Sequence, residues 1–487
     1  MKRILRYFIA AAFLLLVVIG SVCSEAVKEV AAQEEVPRTY ENTLFDSSYV
    51  HRIDITIAQD DWDDLLTNPL EKTKYKADIE IDGEVVGQVS FATKGNSSLA
   101  FVAADGNSRF SYKVNFGKYN KGQTFLGLNK LNLHNSFYDT TYLKDYVSYE
   151  IFKEAGVPAP LTSFVWLTVN GEDRGLYLAV EDLSESFLKR NYDGEGVIYK
   201  PESSDLGLTI EKVQAVRANG LPMAQENHGS DLIYSDDNPD SYPDIFKNNE
   251  TKAKEEDTLA VIAALKALSE GTELESHLYT SEIISYFAAH NFVLNYDSYT
   301  AGMLHNLVLY EGNGKLALLP WDYNLSYGTF VHAITNEVTE DVTDILNMGI
   351  DSPLFRTDEE SRPMWKWIVR DEEYLNEYHE ALDVLVSDYF ESGRFEEEAR
   401  AMYEMILPYV EKDPTLFYSV DEFKHGFEVL VDFCLRRAES VRRQLDGKLA
   451  TVNAEQQAQD RVDASNLRIM DMGGPDWITS SEEESLR

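Results

Sequence analysis

A chain of 487 residues that is 44% hydrophobic and 12% aromatic can bury one large core or two moderate ones, and is too rich in aromatic side chains for a disordered polymer. Its formal net charge of −40 argues against nucleic acid and anionic lipid as partners, and requires any phosphate compound to be held by a local cluster of cations or by metal ions.

The first 26 residues, "MKRILRYFIAAAFLLLVVIGSVCSEA", read as a secretory signal peptide: a basic start, a long apolar stretch, and a small-x-small site at Ser24–Ala26. An uncleaved membrane anchor is the alternative. No later segment is long and apolar enough to span a bilayer. Cys23 leaves with the leader, so Cys434 stands alone and no internal disulfide is expected. Residues 27–37 read as a linker. Residues 38–202 form a β-rich region, with alternating strands in "VHRIDITIAQDDW", "YKADIEIDGEVVGQVSFATKG" and "RFSYKVNF", then the hairpin "SFVWLTVNGEDRGLYLAVED". One helix interrupts it, capped by Asp139 or Thr140 and ended by Gly156 and Pro158, with Leu143, Tyr146, Val147 and Glu150 on one face. Residues 203–256 are polar and turn-rich and read as an insertion. Residues 257–450 are helical, with a capping box at Ser419 and Glu422, and hold one hairpin, "HNLVLYEGNGKLALLPWDYN". Residues 451–487 read as a flexible acidic tail. The predicted class is α+β.

The motifs for zinc peptidases, serine hydrolases and Walker-type nucleotide binding are absent, and the nine His residues lack metal-ligand spacing. A carboxylate and amide set remains. Asp297 follows a helix, Asn306 comes nine residues later, Asp322 ends the hairpin sixteen residues after that, and Asn324 is next but one. Oxygen ligands of this kind suit hard cations such as Mg²⁺, and an Asp held off the metal can serve as a base. The order base Asp, metal Asn, hairpin, metal Asp is also that of protein kinases. Alternatively these residues are only turn formers. In the first half, "KGNSS" (Lys94, Gly95, Asn96, Ser97, Ser98) follows a strand, as a small-residue loop whose backbone N–H groups can approach phosphates. Lys113, on the returning strand, could bridge to Glu150 on the helix, a pairing that also has its place in kinases. An ordinary loop is the alternative for "KGNSS".

Taken together, "KGNSS", "SYKVNF", "LNLHNSFYDTTYLKDYVSYEIFKEAGVPAP", "VNGEDRGLYLAVEDLSESFL", "NYDSY…HN" and "PWDYNLSYG" resemble the spore coat protein H (CotH) kinase family from about Lys94 to Gly328, and "MDMGG" resembles tails of secreted bacterial members. The resemblance implies an atypical, two-lobed kinase-like fold and phosphate transfer from ATP to protein Ser. It implies Asp297 as catalytic Asp, Asp322 as metal ligand and Asn306 as second metal or phosphate contact. Two departures stand out: Lys94 replaces an Arg and loses bidentate phosphate geometry, and Asn324 stands where many members carry Asp.

The reading that follows is a secreted or envelope- or spore-surface protein Ser/Thr kinase using ATP with Mg²⁺ or Mn²⁺. Lys94, Gly95, Asn96, Ser97 and Lys113 would hold phosphates, Glu150 would orient Lys113, Glu181 would lie near adenine, Asn306, Asp322 and Asn324 would hold metal, and Asp297 would be the base. The acceptor would be a Ser/Thr-containing, basic protein, drawn by the acidic body. The rivals are a non-catalytic coat or adhesion protein on the same fold, and an enzyme that transfers the nucleotide of ATP.

Overall fold

The computed structural model describes residues 37–202, 208–219, 227–331 and 342–475. The expected signal peptide and all of the expected linker but Pro37 lie outside the described residues. No helix among the described residues is long and apolar enough to cross a membrane.

The first half forms a closed seven-stranded barrel from β1 (His51–Ile57), β2 (Tyr75–Ile81), β3 (Glu84–Lys94), β4 (Ser111–Asn115), β5 (Lys130–His134), β6 (Thr162–Val169) and β7 (Glu172–Glu181), in the order β1-β2-β3-β4-β5-β7-β6. The only parallel pair among these, β1 with β6, closes it. The period-2 alternation explains the closure. Ile53, Ile55 and Ile57, then Ile79 and Ile81, Phe91, Tyr112 and Val114, and Leu131 and Leu133 all point to one apolar cluster. The residues between them face outward.

On β3, β4 and β5 the outward residues that reach the cleft are polar except Ala92. Ala92 registers with Lys113, Lys113 with Asn132, and Asn115 with Lys130. This polar outer face forms one wall of a cleft.

The second half supplies the other wall. A three-stranded antiparallel sheet places β9 (Leu307–Gly312) between β8 (Val197–Tyr199) and β10 (Lys315–Pro320). The β9–β10 turn has Asn313 and Gly314 both at positive φ, the backbone a two-residue hairpin needs. Behind it lies the Thr280–Val293 helix, buried along most of its length with the polar Thr280, His290 and Asn291 among its buried residues. The Val420–Leu445 helix starts with the expected capping box: the Glu422 N–H donates to Ser419 Oγ at 3.2 Å, and the Ser419 N–H donates to Glu422 Oε2 at 2.7 Å. Cys434 is buried in that helix as a free thiol.

Barrel and helices are joined by a buried ion pair. Arg109 Nη1 donates to Asp413 Oδ2 at 2.8 Å, and the same oxygen accepts the Leu176 N–H at 2.8 Å.

Two expectations fail here. Residues 451–475 are not a loose tail: Val462, Ala464, Leu467, Ile469 and Met472 are buried in the main core, because their apolar side chains recur among the polar ones that dominate the composition. The segment after Gly95 is not a plain loop either, since "SSLAFVAA" forms the helix Ser97–Ala104 with Leu99 to Val102 buried.

Candidate active site

The cleft between the outer face of β3–β4–β5 and the end of the β9–β10 hairpin has a volume of about 600 Å³, a size typical of small-ligand sites. Lys94, Gly95, Asn96, Ser97 and Lys113 line it from the barrel side, and Asp297, Asn306, Asp322 and Asn324 from the hairpin side.

Lys94 ends β3. Gly95 follows at φ +110°, where a Cβ would lie 2.9 Å from Ser98 Oγ, so the chain turns sharply and the Ser97–Ala104 helix opens at the cleft. Its free N–H groups and Lys94 give this wall a positive potential. Lys94 Nζ stands 2.8 Å from His134 Nε2 and 5.2 Å from the Trp321 ring centroid. Burial holds the Lys94 ammonium below its ordinary pKa, against the pull of Asp322.

Lys113 does not meet Glu150. Its Nζ lies 2.7 Å from Asp182 Oδ2 and 3.9 Å from Glu250 Oε2, and Glu150 instead accepts from Lys153 one turn along its own helix at 2.6 Å. The helix Lys144–Glu154 does send a carboxylate to the site, but it is Asp145, in the first turn. Asp182 is buried, also faces Lys130 at 3.7 Å, and accepts from Asn132 Nδ2 at 2.9 Å. Burial favours neutral Asp182 and neutral Lys113, yet their mutual attraction wins: Asp182 is held below the usual carboxylate range and Lys113 above its ordinary value.

Glu181 is not at the cleft. Strand alternation turns it away from the side that Asp182 occupies. It is fully buried, accepting from Tyr40 Oη at 2.8 Å, from Arg190 Nη2 at 2.5 Å and from the Leu161 N–H at 3.2 Å. The cleft residues next to β7 are Leu178, Asp182 and Leu183, with Ile198 and Val308 opposite.

On the hairpin side, Asn306 Nδ2 donates to Asp297 O at 2.9 Å and Asp297 Oδ2 at 3.1 Å. His305 Nδ1 is 3.5 Å from Asp297 Oδ1. Burial opposes protonation of His305, but the hydrogen bond and charge of Asp297 outweigh it and raise the imidazole pKa. Asp322 has φ 60° and Asn306 φ 54°, a left-handed backbone that Asp and Asn tolerate better than most residues and that clusters at functional positions. The Asp322 N–H donates to Tyr149 Oη at 3.1 Å, and Asn324 Nδ2 donates to Phe137 O at 3.1 Å.

Both amides thus spend their NH₂ groups inside the protein and keep their oxygens as the remaining acceptors. Among the described residues no three His, Cys, Asp or Glu side chains are grouped as a ready-made metal site. Two carboxylates and two amide oxygens in a cleft suit a hard cation that completes its shell with ligand phosphates and water.

Several cleft residues escaped the sequence reading. Lys130, His134, Asp145, Lys200, Glu202, Glu250 and His305 all line it. "KLNLH" carried a readable signal: Lys130, Asn132 and His134 alternate with Leu131 and Leu133, so the polar set shares one face. Glu250 carried none, because it lies in the stretch 203–256 expected as a polar insertion.

Fold and site together define a cleft-bearing α+β protein with cationic and carboxylate walls. The CotH kinase protein family model matches residues 91–441, and the chain belongs to that family. It is 24% identical over 404 residues to the inner spore coat protein H of Bacillus subtilis (strain 168), covering 82% of this chain and 96% of that protein. It is 29% identical over 86 residues to the inner spore coat protein H-like protein of the same organism, covering 18% of this chain and 26% of that one.

Proposed function

We propose that this protein is a divalent-metal-dependent kinase that moves the γ-phosphoryl group of ATP to a Ser or Thr hydroxyl of a protein, on a two-lobed kinase-like arrangement with the barrel as one lobe and the helical half as the other. One observation carries the reading: Lys94 and Lys113 on one wall of a single cleft face Asp297, Asn306, Asp322 and Asn324 on the other. Phosphoryl transfer asks for positioning and charge neutralisation more than for covalent chemistry, and these two walls offer both.

Lys113, fixed by Asp182, and Lys94, with the helix N-terminus at Ser97, hold phosphate oxygens. Asp297, held by Asn306, accepts the proton of the acceptor hydroxyl. That oxygen bonds to the γ-phosphorus as the bond to the β-phosphate bridging oxygen breaks, leaving ADP. Asp322, Asn306 and Asn324 are the residues that would hold Mg²⁺ or Mn²⁺, which when bound supplies neutralisation of phosphate charge. Leu178, Leu183, Ile198 and Val308 offer an apolar seat for the base. The lysines gathered in the cleft of a chain of net charge −40 allow an anionic nucleotide and a basic acceptor protein to be drawn to the same molecule.

The name of the Bacillus subtilis relative supports a place in a spore coat. That name also favours a second reading, a coat component that assembles on this fold without catalysis.

Incubation with Mg²⁺ or Mn²⁺ and a Ser-rich basic protein, in parallel with ATP labelled at the γ- or the α-phosphate, separates these readings. Transfer of γ-label, lost in Asp322→Ala, is expected. Transfer of α-label would mean nucleotidyl transfer. No transfer by folded protein would leave the assembly reading.

A further inference from the structure

Lys94 is held by a hydrogen-bonded chain of which the phosphate-contact reading says nothing. Its ammonium can only donate, so His134 Nε2, 2.8 Å away, must accept. The ring proton then sits on Nδ1, which faces Asp145 Oδ2 at 2.9 Å. The other Asp145 oxygen accepts the Tyr323 N–H at 2.7 Å. Tyr323 follows Asp322 directly. His134 and Asp145 are both buried, 7% and 4% exposed, so water does not compete for these bonds. The Trp321 ring stands edge-on to His134 at 6.2 Å and beneath Lys94, closing the fourth side.

We propose that His134, fixed in its Nδ1–H tautomer by Asp145, is the positioning residue that aims Lys94 at phosphate and ties its place to that of the Asp322 hairpin end. The proposal rests on the reading of Lys94 as a phosphate contact. A lysine has four rotatable carbons and no fork to orient it. Where an Arg would carry its own geometry, Lys94 takes direction from an acceptor held at fixed tautomer, as carboxylate–histidine pairs orient ligands elsewhere.

Four variants and one spectrum test this on the full chain. Asp145→Asn keeps the shape and the Tyr323 bond, but its NH₂ would donate to His134 Nδ1, reverse the tautomer and turn an N–H against the Lys94 ammonium. ATP–Mg²⁺ affinity, measured by calorimetry, should fall about tenfold. His134→Leu should do the same, and His134→Gln, whose amide oxygen can accept, should recover part of the loss. None should weaken binding further in a Lys94→Ala background. In the ¹⁵N-histidine spectrum of the ligand-free protein, His134 should carry its proton on Nδ1, and on Nε2 in Asp145→Asn. This readout needs no nucleotide and stands even if His134→Leu does not fold. A wild-type proton on Nε2, or undiminished affinity in Asp145→Asn while Lys94→Ala is impaired, overturns the positioning role alone. Undiminished ATP binding in Lys94→Ala overturns the phosphate-contact reading and this inference with it.

Discussion

The side-chain amide of Asn306 spans Asp297, donating to its carbonyl at 2.9 Å and to its carboxylate Oδ2 at 3.1 Å. With His305 Nδ1 3.5 Å from Oδ1, the carboxylate is held from two sides. Asp297→Asn preserves the shape and removes the basicity. Phosphoryl transfer should fall by roughly 10²–10⁴-fold, with ATP affinity by calorimetry nearly unchanged. Single-turnover rates close to wild type would show that Asp297 does not take the hydroxyl proton.

A second prediction follows from the partner of Lys113. Lys113→Ala and Asp182→Ala should each weaken ATP binding, and the double variant should lose much less than the sum, because the two groups touch. Asp182→Ala should also destabilise the fold, since it leaves the charges of Lys113 and Lys130 without their buried counter-ion. Glu150→Ala should bind like wild type, its one ion pair among the described residues being with Lys153. Additive losses at 113 and 182, or a strong effect at 150, would revive the strand-to-helix pairing read from the sequence.

That pairing shows where sequence reading stops. The strands, the Ser419 capping box and the "EGNG" hairpin were legible because local alternation and turn chemistry dictate them. So was the gathering of Asp297, Asn306, Asp322 and Asn324, since short spacing around one hairpin leaves few ways to part them. The cap of the Lys144–Glu154 helix was not legible, since the helix starts after Leu143 with no side-chain cap rather than at Asp139 or Thr140. Nor was the partner of Lys113. Asp182 lies 69 residues away along the chain, and its approach depends on barrel closure. Glu181 and Asp182 are adjacent acids on one strand end, and the register that sends one into the fold and the other to the cleft is set by pairing across β5 and β7.

His290 gives a pH prediction. It is buried on the Thr280–Val293 helix, with Nδ1 2.9 Å from Tyr323 Oη and Nε2 2.9 Å from Thr300 Oγ1. Burial lowers its pKa from 6.5 to about 3. The unfolded chain therefore binds the proton first. The stability due to neutral His290 is complete above pH 6.5 and is lost as pH falls toward 3, by up to about 1.4 kcal/mol per pH unit. His290→Gln should be less stable than wild type near neutrality, through lost packing, and the gap should narrow on acidification. Denaturant midpoints across that range check it. A gap that stays constant would mean that His290 titrates normally in the fold.

The last prediction concerns the tail. Lys144 is buried, and its Nζ donates to Tyr138 O and Gly473 O, each at 2.8 Å, and to Thr329 Oγ1 at 3.3 Å. The Thr140 N–H donates to Met472 O at 3.1 Å, so the tail lies against the loop that leads into the Lys144–Glu154 helix. Gly473 has φ +80°, and a Cβ there would stand 2.7 Å from Thr140 N and Oγ1. Gly473→Val adds backbone strain to this collision and should lift the carbonyl off Lys144, leaving a buried ammonium short of an acceptor. The expected cost is about 2–4 kcal/mol, seen as a lower melting temperature. Pro475 lines the cleft, so ATP affinity should fall as well. Gly447→Ala is the control: it also has positive φ, but nothing lies within 4 Å of its added Cβ, so it should show only the smaller backbone cost and leave ATP affinity unchanged. A Gly473→Val protein with wild-type stability would show that the "MDMGG" segment does not hold Lys144 and that the cleft is complete without the tail.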